Sequence, residues 1–201
     1  MPVVEIDTPR GLARAHVHKV KSARGAVVLG HGAGGGVTAP DLVAARDAAL
    51  EERFAVALVE QPYRVAGRRS PPPASHLDTA WVAIVGALRA DRLKGLSVIV
   101  GGRSMGGRVA CRTVDETGAV AVLCLAFPLE PPGRKTPQSR LPELDAVTVP
   151  TLVVQGERDP FGIPPPGPSR EVATVPGDHG LKADPGAVAA AVRTWLASGV
   201  A

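Results

Sequence analysis

Residues 97–107 read SVIVGGRSMGG, and this stretch decides the fold that the sequence predicts. Its first four residues form a short apolar, β-branched run, which is typical of a buried strand. The pattern Gly-x-Ser-x-Gly follows, with serine at position 104, and residues from Met105 to about Thr117 suit a helix. About 0.1 such matches are expected by chance, so the strand-turn-helix context carries the prediction. A serine on such a turn holds its hydroxyl above the edge of the sheet. We therefore predict that Ser104 is a nucleophile.

Outward from this turn, apolar runs alternate with helical patterns. The predicted strands are an opening hairpin at 3–6 and 15–20, then runs at 26–29, 56–59, 97–100, 120–126, 151–155 and 172–175. The predicted helices are 40–53, 75–90, 105–117 and one beginning at Asp184-Pro185, and Ser75 with Asp78 fits a capping box. This alternation predicts an α/β fold, with helices on both faces of a mostly parallel sheet.

Three proline-rich connections join these elements, at residues 67–74, 128–150 and 160–168. Because proline fixes φ and removes an amide donor, we expect loops there and no helical cap. No internal repeat is visible, and a chain of 201 residues suits one domain covering 1–201.

Composition excludes several classes of function. The net charge is only +4, and the six aromatic residues are scattered, so we expect no nucleic-acid partner. The longest strongly apolar run, 117–129, is shorter than the roughly 20 residues of a membrane span, and no signal peptide is visible. Cys111 and Cys124 lie in apolar surroundings without a C-x-x-C motif, which indicates reduced thiols and a cytoplasmic location. The sequence carries no signal for an oligomeric state.

A serine hydroxyl becomes an effective nucleophile when a base removes its proton. In hydrolases with this turn, the chain order is serine, acid, histidine, and His179 is the one histidine after Ser104. It lies in a predicted loop between the last strand and the last helix. We therefore predict that His179 is the base.

The acid that orients the histidine is less determined. Asp159 directly follows the predicted strand at 151–155, so it would stand at the same sheet edge as Ser104. There it would hold the imidazole tautomer and stabilise the imidazolium. Glu157 and Asp145 remain alternatives.

Acyl transfer also needs hydrogen-bond donors for the developing oxyanion, each worth about 3–4 kcal/mol. We predict one donor at the amide of Met105, the residue after the nucleophile. The second should come from GHGAGGG at 30–36, where we choose the Ala33 amide. Gly34 is the alternative donor and a candidate substrate contact. His31 is expected to pack or hydrogen-bond within this loop.

The stretch at 30–35 also fits the dinucleotide pattern G-x-G-x-x-G, with Glu60 ending the next predicted strand. The next helix begins only near Pro40, too late for its amides to meet a pyrophosphate in the glycines. This interpretation also leaves Ser104, Asp159 and His179 without a shared role. A Rossmann-type domain is therefore our third hypothesis.

Arg103 precedes the predicted nucleophile and is a candidate contact for an anionic substrate. His16 and His18 would share one face of a strand, but no third metal ligand accompanies them. We predict neither a metal nor another cofactor.

The chain resembles the α/β-hydrolase superfamily over nearly its whole length. It is most similar to the small lidless group related to dienelactone hydrolases and to testis-expressed α/β-hydrolase-like proteins. The motifs are LGHGAGG at 29–35, GGRSMGG at 101–107, QGERDP at 155–160 and DH at 178–179. The resemblance implies about eight strands, the second antiparallel, and the triad Ser104, Asp159 and His179. Dienelactone hydrolases carry cysteine where this chain has serine, so their substrate does not follow.

We therefore expect a serine hydrolase that cleaves a carboxylic ester or thioester of a small-molecule acyl substrate through an acyl-enzyme. The alternative is a catalytically silent fold that serves as a protein-interaction module, since some members of the group resemble parts of larger complexes. Labelling of Ser104 by a fluorophosphonate distinguishes the two.

Overall fold

Eight strands form one sheet in the order β1-β2-β4-β3-β5-β6-β7-β8 in a computed structural model, which describes residues 2–130 and 138–200. The strands are β1 Val3–Thr8, β2 Gly11–His18, β3 Gly25–Gly30, β4 Phe54–Glu60, β5 Val98–Arg103, β6 Ala121–Leu125, β7 Thr151–Gly156 and β8 Arg170–Val175. β2 is antiparallel to both of its neighbours, and β3 to β8 run parallel. The α/β-hydrolase fold predicted from the sequence is confirmed.

The helices are α1 Pro40–Glu51, α2 Pro62–Val65, α3 Ala74–Ala90, α4 Met105–Arg112, α5 Val114–Thr117, α6 Leu141–Asp145 and α7 Pro185–Ala197. α1 and α7 pack against one face of the sheet, and α3 and α4 pack against the other. Side chains of β3 alternate between the two cores, since Val28 belongs to one and Leu29 to the other. Both faces of the central strands are covered, which is why these strands read as uninterrupted apolar runs.

The predicted capping box of α3 is wrong. The helix begins at Ala74 with Pro73 as its N-cap, and no side chain caps it. Ser75 therefore lies within the first helical turn, where its backbone no longer has the extended conformation of a cap. The Asp78 carboxylate instead lies 2.6 Å from the Arg112 guanidinium, so its charge links α3 to α4.

The helix predicted at 105–117 is divided into α4 and α5 at Thr113. The Thr113 hydroxyl donates to the Val109 carbonyl four residues earlier at 2.8 Å, a contact that tends to bend helices.

The prediction of an uninterrupted loop at 128–150 is also wrong, because α6 lies within it. Pro142 occupies the first turn of α6, where a backbone N–H would have no acceptor within the helix, so the missing N–H of proline costs nothing. α2 begins in the same way at Pro62 and was not predicted. Neither helix is long enough to form a cap, and the described residues contain no helical cap domain. Part of the 128–150 connection, residues 131–137, lies outside the described residues.

In the part of the chain that the structure describes, no helix combines the length and apolarity needed to cross a membrane.

Candidate active site

Ser104 lies between β5 and α4 in a turn of residues 101–107, here called the serine turn. Its φ is 51° and its ψ −107°, a conformation that is unfavourable for a residue with a side chain. The Ser104 amide donates to the Leu125 carbonyl at 2.8 Å, which ties the strained residue to the neighbouring strand β6. A Cβ at Gly106 would lie 2.4 Å from the Gly30 carbonyl oxygen, so the turn requires glycine there. Packing against neighbouring strands thus holds the serine in this conformation.

Three loops at one edge of the sheet bring Ser104, His179 and Asp159 together. His179 Nε2 lies 3.0 Å from Ser104 Oγ, and His179 Nδ1 lies 2.9 Å from Asp159 Oδ2. Because an ionised carboxylate only accepts hydrogen bonds, Nδ1 carries the proton and Nε2 accepts from the serine hydroxyl. The Asp159 carboxylate is fully buried, and the His179 side chain is 19% exposed. The arrangement can move a proton from Ser104 to His179 beside a fixed negative charge.

Two residues that the sequence analysis missed hold the acid and the base. Gln155, at the end of β7, donates its amide Nε2 to Asp159 Oδ2 at 2.8 Å. The backbone amide of Phe161 donates to the other carboxylate oxygen at 2.9 Å. The Phe161 ring also packs on the imidazole of His179, with 4.2 Å between ring centroids. The polar Gln155 in an otherwise apolar strand was a signal in the sequence, whereas the ring contact left none.

The other candidate acids have different surroundings. Glu157 is exposed, and Asp145 lies 3.0 Å from the guanidinium of Arg170. Among the carboxylates that the structure describes, Asp159 alone contacts His179.

The predicted oxyanion donors are the backbone amides of Ala33 and Met105. Neither donates to an acceptor among the described residues, so both remain available to a ligand. Ala33 lies in a stretch of residues 30–36, here called the glycine loop, and its carbonyl accepts a 2.8 Å bond from the Tyr63 hydroxyl. No atom lies within 4 Å of a Cβ added at Gly34, so the space beside this glycine is open.

His31 links the glycine loop to Gln61 through two hydrogen bonds. Its Nε2 accepts from the backbone N–H of Gln61 at 3.1 Å, so Nδ1 carries the proton and donates to the Gly32 carbonyl at 2.8 Å. Burial lowers the pKa of His31, which keeps the ring neutral in this role. His31 therefore hydrogen-bonds within the loop, as predicted.

Arg103 connects the serine turn to two other segments. Its Nε lies 2.9 Å from the fully buried carboxylate of Asp41 in α1, and its Nη2 donates to the His179 carbonyl at 3.0 Å. Burial raises the pKa of Asp41, and the nearby guanidinium opposes that rise. These contacts fix the backbone of the connection between β8 and α7, here called the histidine loop. The predicted contact of Arg103 with a substrate stays a prediction.

Glu60 and the glycine loop, which suggested the dinucleotide hypothesis, lie in surroundings that do not suit a dinucleotide. Glu60 lies 2.8 Å from His16 on β2, and α1 begins at Pro40, after the glycines. The glycine loop therefore has no helix N-terminus directly behind it to bind a pyrophosphate. In the described chain, no group of three histidine, cysteine or acidic side chains could hold a metal ion.

Comparison with known proteins agrees with this fold. A family model described as an alpha/beta hydrolase domain matches residues 23–174. Among solved structures, Est1E from Butyrivibrio proteoclasticus aligns with a TM-score of 0.79 and 16% identity over 98% of both chains. A serine hydrolase without lid from Xanthomonas campestris gives 0.72 and 17% over 96% of this chain and 94% of that one. Dienelactone hydrolase from Anabaena variabilis gives 0.73 and 18% over 98% and 94%. A search of curated proteins returned no match.

Proposed function

The chain belongs to the alpha/beta hydrolase family, and from that premise we propose that it is a serine hydrolase that cleaves a carboxylic ester or thioester. The observation that carries the proposal is the continuous hydrogen-bonded series of Ser104, His179 and Asp159, with distances of 3.0 and 2.9 Å. This is the order of contacts that nucleophilic acyl transfer by a serine requires.

In the first half of the reaction, Ser104 Oγ attacks the acyl carbon while His179 Nε2 takes the hydroxyl proton. The negative charge on the carbonyl oxygen is met by the amides of Ala33 and Met105, and Asp159 stabilises the imidazolium. Collapse of the tetrahedral intermediate breaks the bond to the alcohol or thiol, which leaves with the proton from His179. The acyl group remains on Ser104 as an ester.

In the second half, a water molecule gives a proton to His179 and attacks the acyl-enzyme. The tetrahedral intermediate collapses, the carboxylic acid leaves, and the proton returns to Ser104 Oγ. The open space beside Gly34 and the lack of a helical cap among the described residues support a short or polar acyl group as the substrate. Cys111 and Cys124 are buried and unbridged with their sulfurs 3.6 Å apart, an arrangement that a reducing compartment such as the cytoplasm would preserve.

Turnover of short p-nitrophenyl esters and thioesters tests the proposal. The solved Est1E structure with ferulic acid bound makes a ferulate ester a useful third substrate. Ser104→Ala should lower kcat at least about 10³-fold, with far-UV circular dichroism unchanged. Ser75→Ala, which changes an exposed serine in α3, is the matched control and should keep the wild-type rate. Hydrolysis by Ser104→Ala at the wild-type rate would contradict the assignment.

Covalent labelling separates an enzyme from an interaction module of the same fold. A fluorophosphonate should add one adduct to the wild-type protein, located at Ser104 by peptide mass spectrometry, and none to His179→Gln. A folded wild-type protein that remains unlabelled would favour the interaction module.

A further inference from the structure

A cavity of about 500 Å³ lies where the β1–β2 hairpin, α2 and the start of α3 meet. Its walls include Arg10 from the hairpin, Gln61 and Tyr63 at α2, and Leu77 from α3. None of the three proposed catalytic residues lines it. This volume suits a small organic molecule.

The charges around the cavity have one sign. Arg10 and Arg68 line it, and no carboxylate does. The guanidinium groups of Arg10 and Arg68 make no ion pair with any residue that the structure describes. Arg103, by contrast, is paired with the buried carboxylate of Asp41. Two unpaired cations at one opening favour an anionic ligand.

The remaining wall is apolar, with Pro62, Val65, Leu77 and Ala80. Deeper in the wall, Gln61 is only 3% exposed and its Oε1 accepts no hydrogen bond. An unsatisfied buried acceptor costs about 1–3 kcal/mol, so a donor that reached it would be favourable. The cavity thus fits an apolar body that carries an anionic group at one end.

Two residues of this wall also hold the glycine loop. The backbone N–H of Gln61 donates to Nε2 of His31, and Nδ1 of His31 donates to the Gly32 carbonyl. The Tyr63 hydroxyl donates to the Ala33 carbonyl and lies 4.0 Å from the sulfur of Met105. A molecule in the cavity therefore touches the same residues that position the proposed oxyanion donors.

We propose that this cavity binds a small organic carboxylate and that its occupancy changes turnover at Ser104. The carboxylate meets Arg10 and Arg68, and the apolar body lies against α2 and α3. The effect on turnover at Ser104 rests on the proposed function, whereas binding of the carboxylate does not. The carboxylate belongs either to a separate ligand or to the substrate, and the experiment distinguishes these sources.

Calorimetric titration with 4-phenylbutanoate tests binding, and the neutral 4-phenylbutanamide is the matched ligand. The wild-type protein should bind the carboxylate at least about 10-fold more tightly than the amide. Arg68→Gln should lose about 10-fold in affinity for the carboxylate and keep its affinity for the amide. Arg69→Gln removes the same charge from an exposed neighbour that does not line the cavity, and should bind as the wild type does.

Equal affinity for acid and amide, equal losses in Arg68→Gln and Arg69→Gln, or no binding of the acid would each overturn the proposed site. Because calorimetry reads binding directly, these results do not depend on whether Ser104 is active. Fluorophosphonate labelling of the same samples reports the state of Ser104 separately.

Kinetics with and without 4-phenylbutanoate then identifies the source of the carboxylate. A separate ligand should change kcat for p-nitrophenyl acetate in the wild type but not in Arg68→Gln. If the cavity binds the carboxylate of the substrate, 4-phenylbutanoate should instead be a competitive inhibitor of ester hydrolysis. It should also make a p-nitrophenyl half-ester of a dicarboxylic acid a better substrate than the acetate, with the preference lost in Arg68→Gln. Binding that changes neither kcat nor KM would overturn the link to the glycine loop.

Discussion

Glycines follow both β3 and β5, at neighbouring positions in the sheet, but their surroundings differ. In the serine turn, a Cβ at Gly102 or Gly106 would lie 2.3 or 2.4 Å from the Gly30 carbonyl oxygen. In the glycine loop, a Cβ at Gly34 or Gly36 would meet nothing within 4 Å. Close packing therefore requires glycine at these positions of the serine turn, whereas Gly34 and Gly36 of the glycine loop have open space near the proposed oxyanion donor at Ala33. Glycine is thus required by close contacts in one segment, whereas in the other it lies beside open space.

Replacing one glycine in each region tests this difference most directly, and we expect it to have the largest effect. In a helix, glycine to alanine usually stabilises by about 1 kcal/mol. Gly106→Ala in α4 should do the reverse, because its Cβ would collide with the backbone of β3. We expect no cooperative thermal unfolding transition for this variant. Gly34→Ala should change the free energy of unfolding by less than about 0.5 kcal/mol, since its space is open and its φ is not positive.

Differential scanning calorimetry of the two variants measures both effects. Gly86→Ala, in the middle of α3 with nothing within 4 Å of its added Cβ, is the helical control and should be stabilised. A stable Gly106→Ala protein would show that the serine turn does not depend on close approach of the two strands.

The serine turn could be predicted from the sequence because its chemistry is local. A strand, a glycine pattern and a helix are contiguous, and chain order left His179 as the one choice of base. The acid remained open among three carboxylates, because choosing between them needs the path of the loop after β7. Gln155 and Phe161 could not be assigned, since their roles depend on contacts between segments that the chain order does not define.

The fold was predictable to the same extent. Apolar patterns located every strand, because burial on both faces leaves a continuous signal in central strands such as β3, and burial of one face leaves an alternating signal in β2. The short helix α6, with Pro142 in its first turn, was missed because proline was interpreted as excluding helix instead of starting one. The four-residue helix α2, which begins at Pro62, was not assigned at all. The ion pair of Asp41 with Arg103 joins residues far apart in the sequence, and only the folded sheet brings them together.

Arg103 links the serine turn to the histidine loop, and its loss should have the second largest effect. Arg103→Met leaves the Asp41 carboxylate fully buried without its cation, which should cost about 3–5 kcal/mol. It also removes the bond to the His179 carbonyl, so kcat should fall as the histidine loop loosens. Urea unfolding and ester turnover measure the two effects.

The matched control for this variant is Arg193→Met. Arg193 pairs with Glu51 between two helices, but both side chains are more than 40% exposed. Its loss should cost about 0–1 kcal/mol and leave kcat unchanged. Equal costs for the two arginine variants would show that the buried pair contributes no more than a surface one.

His31 gives the glycine loop a dependence on pH. Burial lowers its pKa from the usual value near 6.5, so the folded protein disfavours protonation of the ring. The stabilising contribution is present above that value and is lost as the pH falls towards the folded pKa. His31→Gln should cost about 1–2 kcal/mol at pH 8 and less at pH 5. A cost that stays constant in urea unfolding between pH 8 and 5 would contradict this.

Tyr63→Phe should have the smallest effect, because it removes one hydrogen bond, to the Ala33 carbonyl, at about 0.5–1.5 kcal/mol. Burial raises the pKa of Tyr63 to about 12. In the unfolded chain the phenol ionises near pH 10, so its contribution to stability is complete below pH 10 and declines between pH 10 and 12. The difference in unfolding free energy between the wild type and Tyr63→Phe should therefore shrink over this interval.

Tyr63 is the one tyrosine of the chain, so absorbance at 295 nm follows its ionisation directly. A midpoint near pH 10 in the folded protein would mean that the hydroxyl is open to water and does not hold the glycine loop. Turnover distinguishes the glycine loop from the serine turn further, since the Tyr63 hydroxyl makes no hydrogen bond to the serine turn beyond the 4.0 Å contact with the Met105 sulfur. Tyr63→Phe should thus lower kcat several-fold through the Ala33 amide while fluorophosphonate still labels Ser104. Loss of labelling would instead place Tyr63 in support of both turns.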